Sequence, residues 1–138
     1  MKQRSQIKPS KAALEKMLGE VSWLLSHAQA LADYGRNDEA EAELAKAASF
    51  EEQVAYWLDA AGQEREAVVH RVSAASCYEQ LRQYARAVTL LRAALSSPLS
   101  DDYRNKLEQQ LARGLANAKK GLHRASPRVT RKLAAVAG

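Results

Sequence analysis

The side chains best suited to chemistry in this sequence are three histidines and one cysteine: His27, His70, His123 and Cys77. The histidines are too scattered to form a local metal motif, and the chain has no HExxH sequence, glycine-rich phosphate loop or nucleophile elbow. His27 and His70 each fall within a predicted helix, where a surface histidine or a hydrogen-bonded core histidine is the usual role. We therefore expect no enzyme activity, no metal and no other cofactor.

Cys77 is expected to be a small buried hydrophobe, because it stands beside Tyr78 with no basic neighbour to activate a thiolate. As a single cysteine it permits no intramolecular disulfide and no cysteine metal cluster. The large aromatic residues are expected mainly in the core, with one tryptophan partly exposed as an interface anchor. These aromatic residues are Trp23, Tyr56, Trp57, Tyr78 and Tyr84.

The elements that must position these residues are predicted to be helices. The chain has 138 residues, enough for one compact domain, and only six Gly and three Pro among many Leu, Ala, Glu, Gln, Lys and Arg. We therefore expect an all-α fold. No apolar run reaches about 18 residues, and residues 1–10 lack the apolar core of a secretory signal. A soluble protein of the cytoplasm is the expectation.

Apolar residues recurring at steps of three and four predict five helices, over residues 11–34, 38–60, 63–81, 83–96 and 100–120. Ser10 and Ser100 are expected to cap the first and fifth helices, and Asn37 or Asp38 the second. Gly35 supplies the tight turn between the first two helices.

The predicted domain organisation has three parts. Residues 1–10 form a basic, disordered arm, residues 11–120 form the helical domain, and residues 121–138 form a basic, flexible tail. Gly121 is expected to end the fifth helix.

The helical segment contains an internal repeat. A shift of 47 residues superposes two sets with identical internal spacing, which are Ala28, Ala40, Leu44 and Ala47, and Ala75, Ala87, Leu91 and Ala94. The second set is followed by Pro98. This framework of small and bulky residues, closed by a proline, resembles the tetratricopeptide repeat (TPR). The resemblance covers about 21–48 and 68–98, although the shift exceeds the ~34-residue family period.

The TPR resemblance implies antiparallel helical hairpins stacked side by side, with ligands bound along the first helix of each hairpin. The positions that it carries over are Ser22, Leu25, Ser26, Gln29 and Asp33 in the first copy, and Val69, Val72, Ser73, Ser76, Glu79 and Gln80 in the second. The Lys and Asn set with which some family members bind a terminal carboxylate is absent from these positions. The alternative architecture is a compact antiparallel five-helix bundle.

The function that this resemblance implies is a protein-interaction scaffold. A helix or an extended peptide with apolar anchors suits the mixed polar and apolar groove. With only two repeats, the groove is short, so association with a second copy through the unpaired end of the stack is also expected.

Charge is distributed unevenly and suggests a second function. Residues 1–16 and 119–138 are basic, whereas residues 17–118 contain ten basic and fifteen acidic residues. The tail cations, which could bind nucleic acid or another anionic surface through charge alone, are Lys119, Lys120, Arg124, Arg128, Arg131 and Lys132. The tail has no aromatic residue to stack on a base.

Overall fold

The computed structural model describes the backbone of residues 9–137 and the side chains of residues 9–121. Five α-helices make up this part of the chain, which contains no strand. They are α1 (Lys11–Asp33), α2 (Asn37–Ala60), α3 (Glu64–Gln80), α4 (Tyr84–Leu95) and α5 (Asp101–Ala137). The predicted all-α class is confirmed. Most of the predicted arm lies outside the described residues.

The first four helices are joined by three turns with the same length and backbone conformation. Each turn has three residues, and its middle residue has a positive φ: 77° at Gly35, 80° at Gly62 and 60° at Arg82. In the first turn, the Gly35 N–H donates to the Ala32 carbonyl and the Arg36 N–H to the Leu31 carbonyl, the pattern of a Schellman motif. The same pattern recurs in the other two turns. Such short turns make successive helices antiparallel neighbours.

The helix caps agree with the sequence prediction at α1 and differ at α2. The Ser10 side chain accepts a hydrogen bond from the Ala13 N–H at 3.1 Å, as predicted. The N-cap of α2 is Arg36, which makes no side-chain cap bond, and Asn37 is already the first helical residue. The prediction of Asn37 or Asp38 as the cap was wrong because Arg36, the last residue of the Schellman turn, is also the N-cap of the next helix.

Helix boundaries follow the 47-residue repeat. α1 ends at Asp33 and α3 at Gln80, while α2 begins at Asn37 and α4 at Tyr84. Seven of the eight superposed residues are buried, and the eighth, Leu44, is half-buried. α2 has 24 residues and α4 only 12, which accounts for a repeat longer than that of a TPR. The principal helix contacts join successive helices. Stacking as TPR-like hairpins stays a prediction.

Two groups of buried residues hold the helices together. The main core cluster contains ten buried residues from α2 to α5, among them Tyr78, Leu91 and Leu107. The smaller cluster contains Val54, Leu58 and Ala67, against which Leu14, Met17 and Leu18 of α1 pack. It joins the second half of α2 to the first turns of α1 and α3.

α5 begins as predicted and ends later than predicted. Ser100 Oγ accepts from the Tyr103 N–H at 3.3 Å, and Gly114 lets α5 approach α4, since a Cβ there would lie 3.3 Å from Val88 Cγ2. The predicted end at Gly121 differs from the structure, in which α5 continues to Ala137. A single glycine costs a helix only about 1 kcal/mol relative to alanine and need not end it. Flexibility of the tail stays a prediction.

Although α5 is long, charged residues occur along most of its length. Across the described residues, no helix combines the length and the apolar character needed to cross a bilayer.

Candidate functional site

The predicted groove residues of α1 lie on an open helix face. Ser22, Ser26, Gln29 and Asp33 are exposed, whereas Leu25 is half-buried and packs against the main core cluster. Gln29 Nε2 donates a hydrogen bond to Asp33 Oδ1 at 2.9 Å, one turn along the helix. α1 therefore presents a mainly polar face with an apolar residue at its edge.

The predicted groove residues of α3 are more covered, because α3 packs against both α2 and α4. Val69 is 56% exposed and Gln80 is also exposed. The residues between them are half-buried: Val72, Ser73, Ser76 and Glu79. Val72 packs against the main core cluster, as Leu25 does.

α5 occupies one part of the predicted groove. Gln110 Nε2 donates to Ser76 Oγ at 3.3 Å and to Glu79 Oε1 at 3.0 Å. These bonds join α3 to α5 within the chain, so Ser76 and Glu79 contribute to packing of the helices. The face left open to a partner is shorter than the sequence implied.

Residues from both copies of the repeat meet at one cleft. Leu25 and Gln29 of α1 and Gln80 of α3 line a cavity of about 210 Å³. Its remaining lining residues are Ala28, Ala32, Ala40 and Leu44. We call this set the α1/α3 cleft. It has no charged lining residue, and it brings together three of the eleven predicted groove residues.

A larger cleft lies on the opposite side of α1, between α1 and α2. Its volume is about 580 Å³, and it is lined by Lys16, Gly19, Glu20, Trp23, Leu24, Lys46 and Phe50. We call this set the end cleft. Trp23 is 59% exposed and its ring stacks on that of His27, with centroids 4.5 Å apart.

Sequence reasoning missed the end cleft. The available signal was the position of Trp23, which falls outside the spacing of Val21, Leu24 and Ala28 along the buried face of α1. The expectation that one tryptophan is partly exposed fits Trp23. Tyr56, which was expected mainly in the core, is 49% exposed.

The histidines of the helical domain are used in side-chain pairs between helices. His70 Nδ1 lies 3.1 Å from Glu51 Oε1, and the Glu51 side chain is only 4% exposed. His27 Nδ1 lies 3.7 Å from Glu43 Oε1, at the border of the end cleft. Within the described residues, no three His, Cys, Asp or Glu side chains are grouped as a metal site would require. His123 lies outside the residues whose side chains are described.

Cys77 is buried, as the sequence predicted. Burial, followed by the negative charge of Glu51, raises the pKa of its thiol to about 11. The neighbouring Tyr78 donates from its hydroxyl to Glu52 Oε2 at 2.5 Å and accepts from Arg86 Nη1 at 3.3 Å. Both residues therefore belong to the packed interior.

The predicted tail cations are only partly described. Lys119 and Lys120 are exposed. Arg124, Arg128, Arg131 and Lys132 lie outside the residues whose side chains are described.

Comparisons with protein-family models, curated proteins and solved structures gave no match.

Proposed function

We propose that this chain is a non-enzymatic scaffold that binds a segment of another polypeptide in the α1/α3 cleft. The observation that carries the proposal is the meeting of Leu25 and Gln29 of α1 with Gln80 of α3 at one cavity. Residues 51 to 55 positions apart thus form one surface that neither helix has alone. Small alanines and Leu44 line the rest of the cavity and leave room for an apolar side chain.

The lining residues favour a particular kind of ligand. Gln29 and Gln80 carry amides that both donate and accept hydrogen bonds, which suits the backbone or polar side chains of a peptide. The cleft has no charged lining residue that could pair with a carboxylate. A ligand with an apolar anchor and neutral polar flanks therefore fits better than one with a free carboxylate.

The cleft can be tested with two matched substitutions on α1. Ala32 is exposed and lines the cleft, whereas Ala30 is exposed and does not. Ala32→Arg should fill the cleft and abolish partner binding, while Ala30→Arg should bind as the parent does. Leu25 and Val72 are less suitable because a charge at either position would disturb the core cluster against which they pack.

The measurement is affinity capture from the native cell with the parent and both variants as baits, followed by titration of each captured protein against purified baits. Circular dichroism should first show equal helix content in all three. Identical partners and affinities for the Ala32→Arg and Ala30→Arg baits would contradict binding in the cleft. A second copy of the chain as ligand would be detected by sedimentation, as a dimer that Ala32→Arg dissociates.

The second candidate function is charge-driven binding of nucleic acid, or of another anionic surface, by residues 119–138. One observation supports it: Lys120, Arg124 and Arg128 recur every four residues in a segment whose backbone is helical. Retention on duplex DNA should then fall steeply with salt and disappear on deletion of residues 119–138. Retention by the truncated chain would contradict this function.

The cytoplasm is the proposed location. A lone cysteine held as a thiol is usual in a reducing compartment. Fractionation of the native cell with an antibody against the chain tests the location, and recovery in a secreted fraction would contradict it.

A further inference from the structure

The end cleft lies where the row of packed helices stops. α2, α3 and α4 each make their principal contacts with two neighbouring helices, whereas α1 does so only with α2. The side of α1 that carries Lys16, Gly19 and Trp23 is opposite to the side that faces the α1/α3 cleft. This side has the position that a further packed helix would take.

Gly19 leaves room for an external helix at this position. Among the described residues, no atom outside its own stretch of helix lies within 4 Å of where a Cβ on Gly19 would stand. At Gly114, by contrast, Val88 already occupies that space. Without a side chain at Gly19, the backbone of another helix can come close to α1 beside the exposed Trp23.

The wall of the end cleft is held in place before any partner arrives. The rings of Trp23 and His27 stack with an interplanar angle of 26°. His27 itself faces α2, with its Nδ1 3.7 Å from Glu43 Oε1. An anchored tryptophan loses little side-chain freedom on binding, which is the property of an interface anchor.

Charge at the rim selects the chemistry of the partner. Two of the three charged lining residues are lysines, Lys16 and Lys46, against one Glu20. The chain's own terminal segments are basic, so the same lysines repel them. α5 of a second copy is also unfavourable, because its exposed Leu115 is followed by Lys119 and Lys120.

We propose that the end cleft binds an amphipathic helix of another protein, with large apolar anchors flanked by carboxylates. The anchors would pack on Trp23 and Phe50, and the carboxylates would pair with Lys16 and Lys46. The end cleft shares no lining residue with the α1/α3 cleft. This inference therefore stands apart from the proposed function of that cleft.

The test uses two synthetic peptides of about four helical turns with leucine at the same positions, one with glutamate and one with lysine elsewhere. Each is labelled and titrated with the full chain by fluorescence anisotropy. The acidic peptide should bind at least tenfold more tightly than the basic one. Trp23→Ala should weaken binding of the acidic peptide at least tenfold, while Tyr34→Ala, which removes an exposed aromatic ring at the C-terminal end of α1, should leave its affinity unchanged.

A second experiment reverses the charge of the two lysines that line the end cleft. Lys16→Glu combined with Lys46→Glu should invert the preference between the two peptides, and Ala32→Arg should leave it unchanged. Equal affinities for both peptides, no binding of the acidic peptide, or equal losses from Trp23→Ala and Tyr34→Ala would overturn the proposal. A dimer in sedimentation that Trp23→Ala dissociates would overturn it in favour of a second copy.

Discussion

Cys77 is a potentially reactive side chain in surroundings that suppress its reactivity. It is 2% exposed, and burial together with the charge of Glu51 raises its thiol pKa from 9.0 to about 11. At pH 8 the ionised fraction should therefore be about 100-fold smaller in the folded than in the unfolded chain. Alkylation by iodoacetamide should be at least that much slower in buffer than in urea. Equal rates would show that the thiol is accessible.

The raised pKa of the Cys77 thiol makes the free energy of unfolding depend on pH in the alkaline range. The unfolded chain releases the thiol proton near pH 9 and the folded chain only near pH 11, so raising the pH between these values favours unfolding. The free energy of unfolding should fall by about 2 to 3 kcal/mol over this range. Urea titrations of the parent and Cys77→Ala isolate the effect, since the pKa values of Tyr78 and Tyr103 are also raised and contribute equally to both.

Arg82 has a backbone conformation that glycine adopts more easily. Its φ of 60° matches those of Gly35 and Gly62 in the equivalent turns. Arg82→Gly should remove this local strain and stabilise the chain by about 0.5 to 1 kcal/mol. Arg113→Gly, at an exposed position inside α5, should instead destabilise by about 1 kcal/mol. Urea unfolding checks both, and destabilisation by Arg82→Gly would contradict the strain.

At the residue scale, sequence reasoning succeeded where a side chain has one dominant requirement. Cys77 has no second cysteine and no basic neighbour in the sequence, which leaves the hydrophobic interior as its expected place, and it is buried. Trp23 and Tyr56 were harder to place, because a large aromatic ring stabilises a core and an exposed interface by the same burial. Whether such a ring is buried or exposed depends on the helix that packs beside it.

At the scale of the helices, close packing depends on small side chains such as Ala87. It is fully buried in the main core cluster, whereas Ala85 on the same helix is exposed. Ala87→Leu should overpack the contact and cost on the order of 1 to 3 kcal/mol. Ala85→Leu adds the same atoms at the surface and should change the free energy of unfolding little. Equal effects of the two substitutions on thermal unfolding would contradict this packing.

The α2–α3 interface contains a buried pair whose two members depend on each other. Glu51 is 3% exposed, and His70 Nδ1 lies 3.1 Å from its carboxylate. His70→Leu should cost about 3 to 5 kcal/mol because it leaves a buried carboxylate without a partner. Adding Glu51→Leu should recover much of this loss.

The control for this pair is the exposed pair of Arg36 and Glu39, in which Arg36 Nη2 lies 2.6 Å from Glu39 Oε2. Glu39→Leu should cost less than about 1 kcal/mol. Chemical denaturation of all four proteins gives the comparison, and a double variant no more stable than His70→Leu alone would contradict coupling of the buried pair.

Helix boundaries were largely accessible from the sequence, because turn residues are local signals. The predicted ends of α1 to α4 agree with the structure within one residue. Gly35 and Gly62 mark two turns directly, and the turn at Arg82 follows from the change in apolar spacing around it. The end of α5 was not predicted correctly, since a lone Gly121 gives only a weak stop signal.

At the scale of the whole molecule, the clefts could not be predicted, because periodicity specifies which face of a helix is buried and not which helix covers it. The α1/α3 cleft needs residues from α1, α2 and α3, whereas Gln110 of α5 covers Ser76 and Glu79 of the predicted groove. The repeat suggested that the copies share a groove, but the end cleft arises where Lys46 and Phe50 of α2 border the open side of α1.

The two core clusters predict uneven stability along the molecule. Residues 14–18 of α1 pack against the smaller cluster of Val54, Leu58 and Ala67, whereas α4 packs against the main cluster. In a row of helices with contacts between neighbours, a region with fewer buried contacts opens more readily. Backbone amides in residues 14–20 should therefore exchange with deuterium faster than those in residues 87–94. Leu58→Ala should accelerate exchange in 14–20 and leave 87–94 nearly unchanged, as mass spectrometry of proteolytic fragments would measure. Equal acceleration in both segments would mean that all five helices open as a single cooperative unit.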